Sequence, residues 1–393
     1  MVGVNQVIML SLNMVIIASM IGAGGLGYDV LTSLRRLDIG GGIEAGVAIV
    51  VLAIALDRLS RAFAAKVPGS RAGRGEGMLA RYRWSAAAVA IIGVTYAGGL
   101  LLHGLREFPE SWQITTGPMW AALVKWINVN FYDALEAVKT ALLLNVLVPV
   151  KRFLLGLPWA GVIALVSAAG MMLGGWRLAL LTGSLATFIL VTGGWADAMV
   201  TVYLCGISVV IASLIGIPIG IAAAGNERAW RAVQAVIDTL QTLPSFVYLI
   251  PVVMLFRVGD FSAMIAIVAY AIAPAIRYTA HGIRQVPTEL IEAGIVSGCT
   301  PRQLLYKIRL PLASPTIMLG INQTIMLALS MLVITALVGT RDLGQEVYIA
   351  LTKADTGRGI VAGLSVAFIA IIADRLIAAG SVRARRRLGL ESR

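Results

Sequence analysis

The sequence predicts an all-α, polytopic transmembrane protein of about ten spans. Three observations carry that expectation. Hydrophobic residues make up 59% of the chain and charged residues only 13%, where a soluble domain carries about 25% charged residues. Mean hydropathy is +0.87. Apolar runs near the length needed to cross about 30 Å of hydrocarbon recur along the chain, separated by short hydrophilic gaps. The 393 residues therefore read as a series of spans rather than as two or three soluble domains.

Taken in order, the runs fall at approximately 2–22, 43–64, 84–105, 158–175, 177–194, 198–224, 237–256, 260–282, 319–340 and 360–380. Segment 126–155 carries Asp133, Glu136, Lys139, Lys151 and Arg152, and is expected to lie as an amphipathic interfacial helix rather than to span. The basic gaps set sidedness. They are 65–83 (Lys66, Arg71, Arg74, Arg81, Arg83), 225–236 (Arg228, Arg231), 283–318 (Arg284, Arg302, Lys307, Arg309) and the tail (Arg383, Arg385, Arg386, Arg387). With all four cytoplasmic, the spans alternate without contradiction and both termini lie inside. Lys151 and Arg152 then fall outside, where an interfacial helix on anionic membrane lipid tolerates them.

Composition also excludes classes. A net charge of +12 could suggest nucleic acid, but the Lys and Arg sit in gaps between apolar runs, so no nucleic-acid partner is expected. Two cysteines, Cys205 and Cys299, with no CxxC and no His cluster, leave no metal or disulfide framework. His103 and His281 stand at the ends of apolar runs, where interfacial or capping roles suit them. The glycine runs Gly22–Gly27 and Gly40–Gly42 lack the Lys-Ser/Thr of a phosphate-binding loop. No Ser/His/Asp set or paired carboxylates mark an enzyme, and no bound cofactor is expected. No secretory signal is visible, since the chain starts inside an apolar run.

The chain also repeats itself. Residues 1–59 align with 318–376 without a gap, and roughly 26 of about 59 positions are identical. Met1, Asn5, Gln6 and Met9 match Met318, Asn322, Gln323 and Met326; Asp57-Arg58-Leu59 matches Asp374-Arg375-Leu376. General apolar likeness does not produce matched Asn, Gln, Asp and Arg. The expected organisation is the last two helices of a first module (1–65), a linker, connector span and interfacial segment (66–157), and a complete second module (158–393). Both copies share one orientation, which needs one extra crossing between them; span 84–105 supplies it. Met1 aligns inside the second copy, which predicts the C-terminal part of a longer tandem protein or a start at an internal methionine. The copies differ at one turn, Gly22-Ala23-Gly24-Gly25-Leu26-Gly27 against Gly339-Thr340-Arg341-Asp342-Leu343-Gly344.

Loop 283–318 holds the most specific motif. It reads Glu292-Ala293-Gly294, three residues, Gly298, nine residues, Ile308-Arg309-Leu310-Pro311. Gly298 permits a reversal at positive φ, Pro301 suits a helix start, and Pro311 is expected to end that helix. Leu290, Ile291 and Ala293 would form an apolar face, with Glu292 free to cap or pair. The spacing resembles the EAA-x3-G-x9-I-x-LP loop of permease subunits of binding-protein-dependent ABC importers, with Gly294 in place of the second alanine. Leu240-Gln241-Thr242-Leu243-Pro244-Ser245-Phe246-Val247-Tyr248-Leu249-Ile250-Pro251, Gly282–Pro287 and Asn322–Met331 look like stretches of glycine betaine/proline betaine permeases. The likeness covers roughly 130–390 and again 1–64.

The resemblance implies a type I ABC importer permease fold in the bacterial inner membrane and a solute such as glycine betaine or proline. It implies that a cytoplasmic ATPase subunit docks on the loop and uses ATP, and that a periplasmic or lipid-tethered binding protein delivers the solute. A second permease module, by homodimer or separate first half, completes the path. Polar groups inside spans are costly and usually face an interior or a path. Gln241, Thr242, Tyr248, Asn322, Gln323 and Ser330 are the candidates, with Pro244 and Pro251 opening their helix. Each singly is also explained by an interhelical hydrogen bond. Two other readings stand: an ion-coupled secondary carrier, which predicts intramembrane acids or inverted repeats, and a truncated permease inactive without its first module.

Overall fold

A computed structural model describes residues 11, 14–15, 17–36, 38–65, 83–101, 112, 114–242, 245–387 and 389. Among these there is no strand. The helices are α1 (Leu26–Arg36), α2 (Ile39–Ala65), α3 (Arg83–Leu101), α4 (Gly117–Leu142), α5 (Val148–Gly156), α6 (Trp159–Gly174), α7 (Trp176–Val191), α8 (Trp195–Ala224), α9 (Glu227–Thr242), α10 (Leu249–Phe256), α11 (Asp260–Arg284), α12 (Thr288–Val296), α13 (Leu310–Thr335), α14 (Leu343–Lys353) and α15 (Thr356–Arg387).

Three long helices, α8, α11 and α13, form the centre, and glycines set their spacing. Gly216 and Gly220 lie one turn apart on α8; a Cβ at Gly220 would come within 2.7 Å of the Ile276 carbonyl on α11. Gly320 of α13 is equally tight, 2.6 Å from the Tyr278 Cβ. Where lipid removes any hydrophobic drive between helices, small residues allow the backbone approach that packing requires. Tyr203, Phe246, Ile267 and Met331 fill the core. Five helical stretches are long and apolar enough to cross a membrane, in α2, α8, α11, α15 and the continuous run Pro301–Val338.

The repeat is visible in the fold. α1 and α14 each have 11 residues, and α2 and α15 begin at matching positions of the two copies. A Cβ at Gly27 would lie 2.9 Å from the Val15 carbonyl, and one at Gly344 lies 2.7 Å from the carbonyl of Leu332, the counterpart of Val15. The same close approach thus holds the same glycine in both copies. Arg35 of α1 donates to the Tyr348 hydroxyl of α14 at 2.6 Å, joining the copies.

Two expectations are corrected. The run 237–256 is not one straight span: Glu227–Gln241 and Ser245–Phe256 meet at 104°. Pro311 does not end a helix, because Pro301–Val338 runs through it. A π-turn at Leu304–Arg309 immediately precedes α13, which carries Pro311 in its first turn; the wider turn accommodates the missing N–H and the ring. Runs 158–175 and 177–194 are helices of 16 residues each, about 24 Å long at 1.5 Å per residue, joined at Gly175 with φ 80°. The first-copy run 2–22 falls largely outside the described residues.

Segment 126–155 lies in the helix formed by α4, the π-turn Leu143–Leu147 and α5, and its latter part Tyr132–Gly156 runs at 95° to α6. Its contacts fall at one end of the bundle. The Thr116 amide just before it donates to Glu44 at 2.9 Å, Asn128 to the Met254 carbonyl at 3.3 Å, and Lys151 pairs with Asp260 at 2.7 Å. Glu44, Met254 and Asp260 stand near ends of α2, α10 and α11. The opposite end carries the Arg284–Glu227 pair and the donation from Arg383 to the Met172 carbonyl, and it gathers the described basic gaps.

Candidate functional site: the loop between α11 and α13

α12 ends in a tight reversal. Gly298 takes φ +79°, and the amides of Ser297, Gly298 and Cys299 donate to the carbonyls of Ala293, Ile295 and Gly294 at 3.0, 2.9 and 3.0 Å. Left-handed backbone at that point favours glycine. The next helix starts at once: Thr300 Oγ1 accepts from the Gln303 amide at 3.3 Å, and Gln303 Oε1 accepts from the Thr300 amide at 2.9 Å. This reciprocal cap satisfies two amides and leaves Pro301 at the first helical position.

The geometry explains Gly294. A Cβ there would lie 2.5 Å from Ile308 Cδ1 and 2.9 Å from Leu304 Cδ1. α12 therefore folds back on the helix after the turn, and Ile308 is the side chain against which it rests. Leu310 and Pro311 follow at the base of α13, half-buried. Glu292 and Ala293 are exposed. So are Leu290, Ile295, Val296 at 90% exposure and Tyr306. Ile295, Val296 and Tyr306 extend the apolar face beyond the residues the motif marks. The signal for Ile295 and Val296 was the run of apolar residues around Gly294, which a motif-based reading passes over. Behind this face a cavity of about 280 Å³ is lined by Arg284, Arg309, Glu227 and Ile291, and Arg284 lies 5.7 Å from the Trp230 ring centre.

The intramembrane candidates do not form one cluster. Asn322 donates to Asp374 of α15 at 2.7 Å and is buried, so its amide ties two spans of the repeat together. Ser330 is exposed and donates to the Met326 carbonyl of its own helix at 2.9 Å; Gln323 is exposed and Gln241 half-buried. Tyr248 is buried, its hydroxyl donates to the Leu240 carbonyl across the broken span, and its ring stands edge-on to Tyr270 at 5.9 Å. Pro251 lies within α10. Pro244 and the Thr242 side chain lie outside the described residues.

At the other end, the divergent turn has a structural reason. Gly25 takes φ +95° in the first copy, whereas Asp342 is extended and caps α14 through Oδ1, which accepts from the Gln345 amide at 2.9 Å. Asp342 is 1% exposed and its Oδ2 has no hydrogen-bond partner. Burial is the main cause that raises its carboxyl from the usual 3.8 to about 6, opposed by bonds from Gln345, Thr340 and Gly344, with Asp260 adding a smaller upward push. Arg341 alone of the pair is exposed.

A broken, glycine-spaced bundle with a capped helix-turn-helix at one end is the form of a multi-pass permease. Residues 216–386 match the family described as "Binding-protein-dependent transport system inner membrane component". The trimethylamine N-oxide transport system permease protein TmoV of Pelagibacter ubique is 40% identical over 99% of this chain and 55% of its own length. The glycine betaine/proline betaine transport system permease protein ProW of Escherichia coli is 37% identical over 68% of this chain and 73% of its length. The glycine betaine/carnitine transport permease protein GbuB of Listeria monocytogenes is 46% identical over 49% of this chain and 68% of its length. The chain belongs to the quaternary-amine ABC importer permease family. It spans 55% of the Pelagibacter relative and 59% of a second TmoV from Ruegeria pomeroyi.

Proposed function

We propose that this chain is the membrane pathway of an ATP-driven importer for a small methylated-amine zwitterion. Glycine betaine is the first candidate, with proline-type compatible solutes beside it. Trimethylamine N-oxide is the second, favoured by the TmoV likeness that runs through both repeats. These methylated amines join a fixed cationic nitrogen to an anionic oxygen, so dipoles and aromatic faces suit them better than a net charge. The chain is read with both termini cytoplasmic, and the long helix α4–α5 lies along the outer interface.

The observation that carries this reading is the loop geometry. Gly294 seats α12 on Ile308, Gly298 reverses the chain, and Leu290, Ile295, Val296 and Tyr306 stand exposed toward a partner. A cytoplasmic ATPase subunit would dock there, with Glu292 at its edge. A periplasmic or lipid-tethered binding protein would meet the opposite end, and a second permease module would complete the path. An ion-coupled carrier is not favoured, because the relatives above are permeases of named transport systems and the repeat is parallel.

The test is uptake of labelled glycine betaine and trimethylamine N-oxide into proteoliposomes holding the chain, its cognate ATPase and its binding protein. ATP-dependent uptake, reduced in Gly298→Val, is the expected result. Uptake driven by an ion gradient without ATP would overturn the reading.

A further inference from the structure

Helix α4 turns one face toward the end of α10. Asn128, Tyr132, Glu136 and Lys139 recur along it at helical spacing. With Phe256 and Arg257 they line a cavity of about 140 Å³, at the end of the bundle read above as outer. Asn128 is engaged by the Met254 carbonyl at 3.3 Å, which pins α4 to α10. Lys139 donates to both oxygens of Glu136, at 3.3 and 3.2 Å, so that pair neutralises itself. Two aromatic rings and one guanidinium are left for a ligand. Tyr132 is 53% exposed, and the Phe256 ring is braced edge-on by Phe261 at 5.1 Å. Arg257 is exposed and makes no ion pair among the described residues.

Arg257 also holds an unfavourable backbone. Its φ of 64° and ψ of −175° fall in a region that is essentially glycine's alone, and such outliers cluster at ligand-binding sites. Two bonds hold it there: its amide donates to the Val253 carbonyl at 2.8 Å, and its carbonyl accepts from the Ser262 hydroxyl. Glycine would take the same backbone without strain, so folding alone does not call for an arginine. An aromatic face attracts a methylated ammonium, and a guanidinium attracts an oxyanion. A small ligand that carries both charges uses both features; an ion of one sign leaves one of them idle. A cavity of about 150 Å³ takes a molecule the size of benzene, and trimethylamine N-oxide belongs to that size class.

We propose that this cavity is an entry site for a methylated-amine zwitterion, with the ammonium against Tyr132 and Phe256 and the anionic oxygen on Arg257. The choice of ligand rests on the function proposed above. The site favours zwitterions over simple cations at the outer end of the chain, before any step that ATP drives.

The test is titration of the full chain in nanodiscs, without ATPase or binding protein, followed by the N-methyl proton resonance of the probe. The probes are glycine betaine, trimethylamine N-oxide and, as a cation without an anionic partner, tetramethylammonium. Both zwitterions should bind more tightly than tetramethylammonium. Arg257→Gly, which relieves the backbone, should melt no lower than the unmodified chain. It should nevertheless bind the zwitterions about 10- to 100-fold more weakly and leave tetramethylammonium unchanged. Tyr132→Ala should weaken all three about 2- to 30-fold. Thermal melts establish that each variant is folded, and should one fail to fold the other decides. Unchanged zwitterion binding in either folded variant, or equal affinity of the unmodified chain for tetramethylammonium, would overturn the proposal. Uptake by the complete assembly with no binding here would overturn the site and leave the transport reading standing. Binding here without ATP-dependent uptake would uphold the site and count against the transport reading.

Discussion

Gly298 offers a graded perturbation of the loop on which ATPase docking is proposed to depend. Its φ of +79° lies in the left-handed region, and a Cβ added there would meet nothing within 4 Å. The cost of a side chain is therefore backbone strain alone, without a clash. For an ordinary L-residue that strain is about 1–2 kcal/mol, which corresponds to a drop of about 5- to 30-fold in the ratio of native to opened turn. Asparagine tolerates left-handed backbone better than alanine, and a β-branched residue tolerates it worse. The expected order of affinity for the ATPase subunit is thus Gly, Asn, Ala, Val. The assay is equilibrium binding of the isolated ATPase subunit to the reconstituted chain, with a thermal melt of each variant. The melts should fall by no more than this strain, because the turn packs against nothing at this position and no clash is added. Wild-type affinity in Gly298→Val, or an order that follows side-chain size instead of left-handed tolerance, would refute the reasoning.

Three further outcomes are expected. Gly220→Val should separate α8 from α11, since its Cβ would sit 2.7 Å from the Ile276 carbonyl, and the loss of about 1–3 kcal/mol typical of overpacking should appear as a lower melting temperature. Asp374→Ala leaves the buried Asn322 amide without its acceptor; interhelical hydrogen bonds in membranes average about 0.6 kcal/mol and reach about 1.7, so a loss in that range is expected in steric-trap unfolding. Asp342 binds its proton more tightly in the folded chain, its carboxyl standing at about 6. Stability from this group is therefore fully present below the ordinary carboxylate value and is lost as pH rises through about 6. Asp342→Asn should remove that slope between pH 4 and 6 (about the two titration points), read from melting temperature against pH.

Much of this architecture was legible because membrane proteins write it in composition and spacing. Apolar runs and basic gaps marked α2, α8, α11 and α15, and the gapless match of the copies anticipated the paired elements α1/α14 and α2/α15. The reversal at Gly298 followed from a glycine at fixed spacing, and the helix start after it from Pro301. These are local properties, set by one residue and its near neighbours.

Tertiary structure decided the rest, because it depends on which surfaces meet. Asn322 read as a path residue or as one end of an interhelical bond, and only the fold places its amide on Asp374, 52 positions away in sequence. Pro311 read as a helix stop until the π-turn before it carried the helix onward. Gly294 departed from the expected alanine, and only the nearness of Ile308 Cδ1, 2.5 Å from where a Cβ would stand, supplies the reason. Asp342 showed in the sequence only as a departure from Gly25 of the first copy, and the fold makes it a buried cap. Hydropathy and motif thus determined the class of protein and where its chain turns. Packing alone determined which polar groups are spent holding helices together and which remain for a partner, because a hydrogen bond between spans leaves no mark in either span's own sequence.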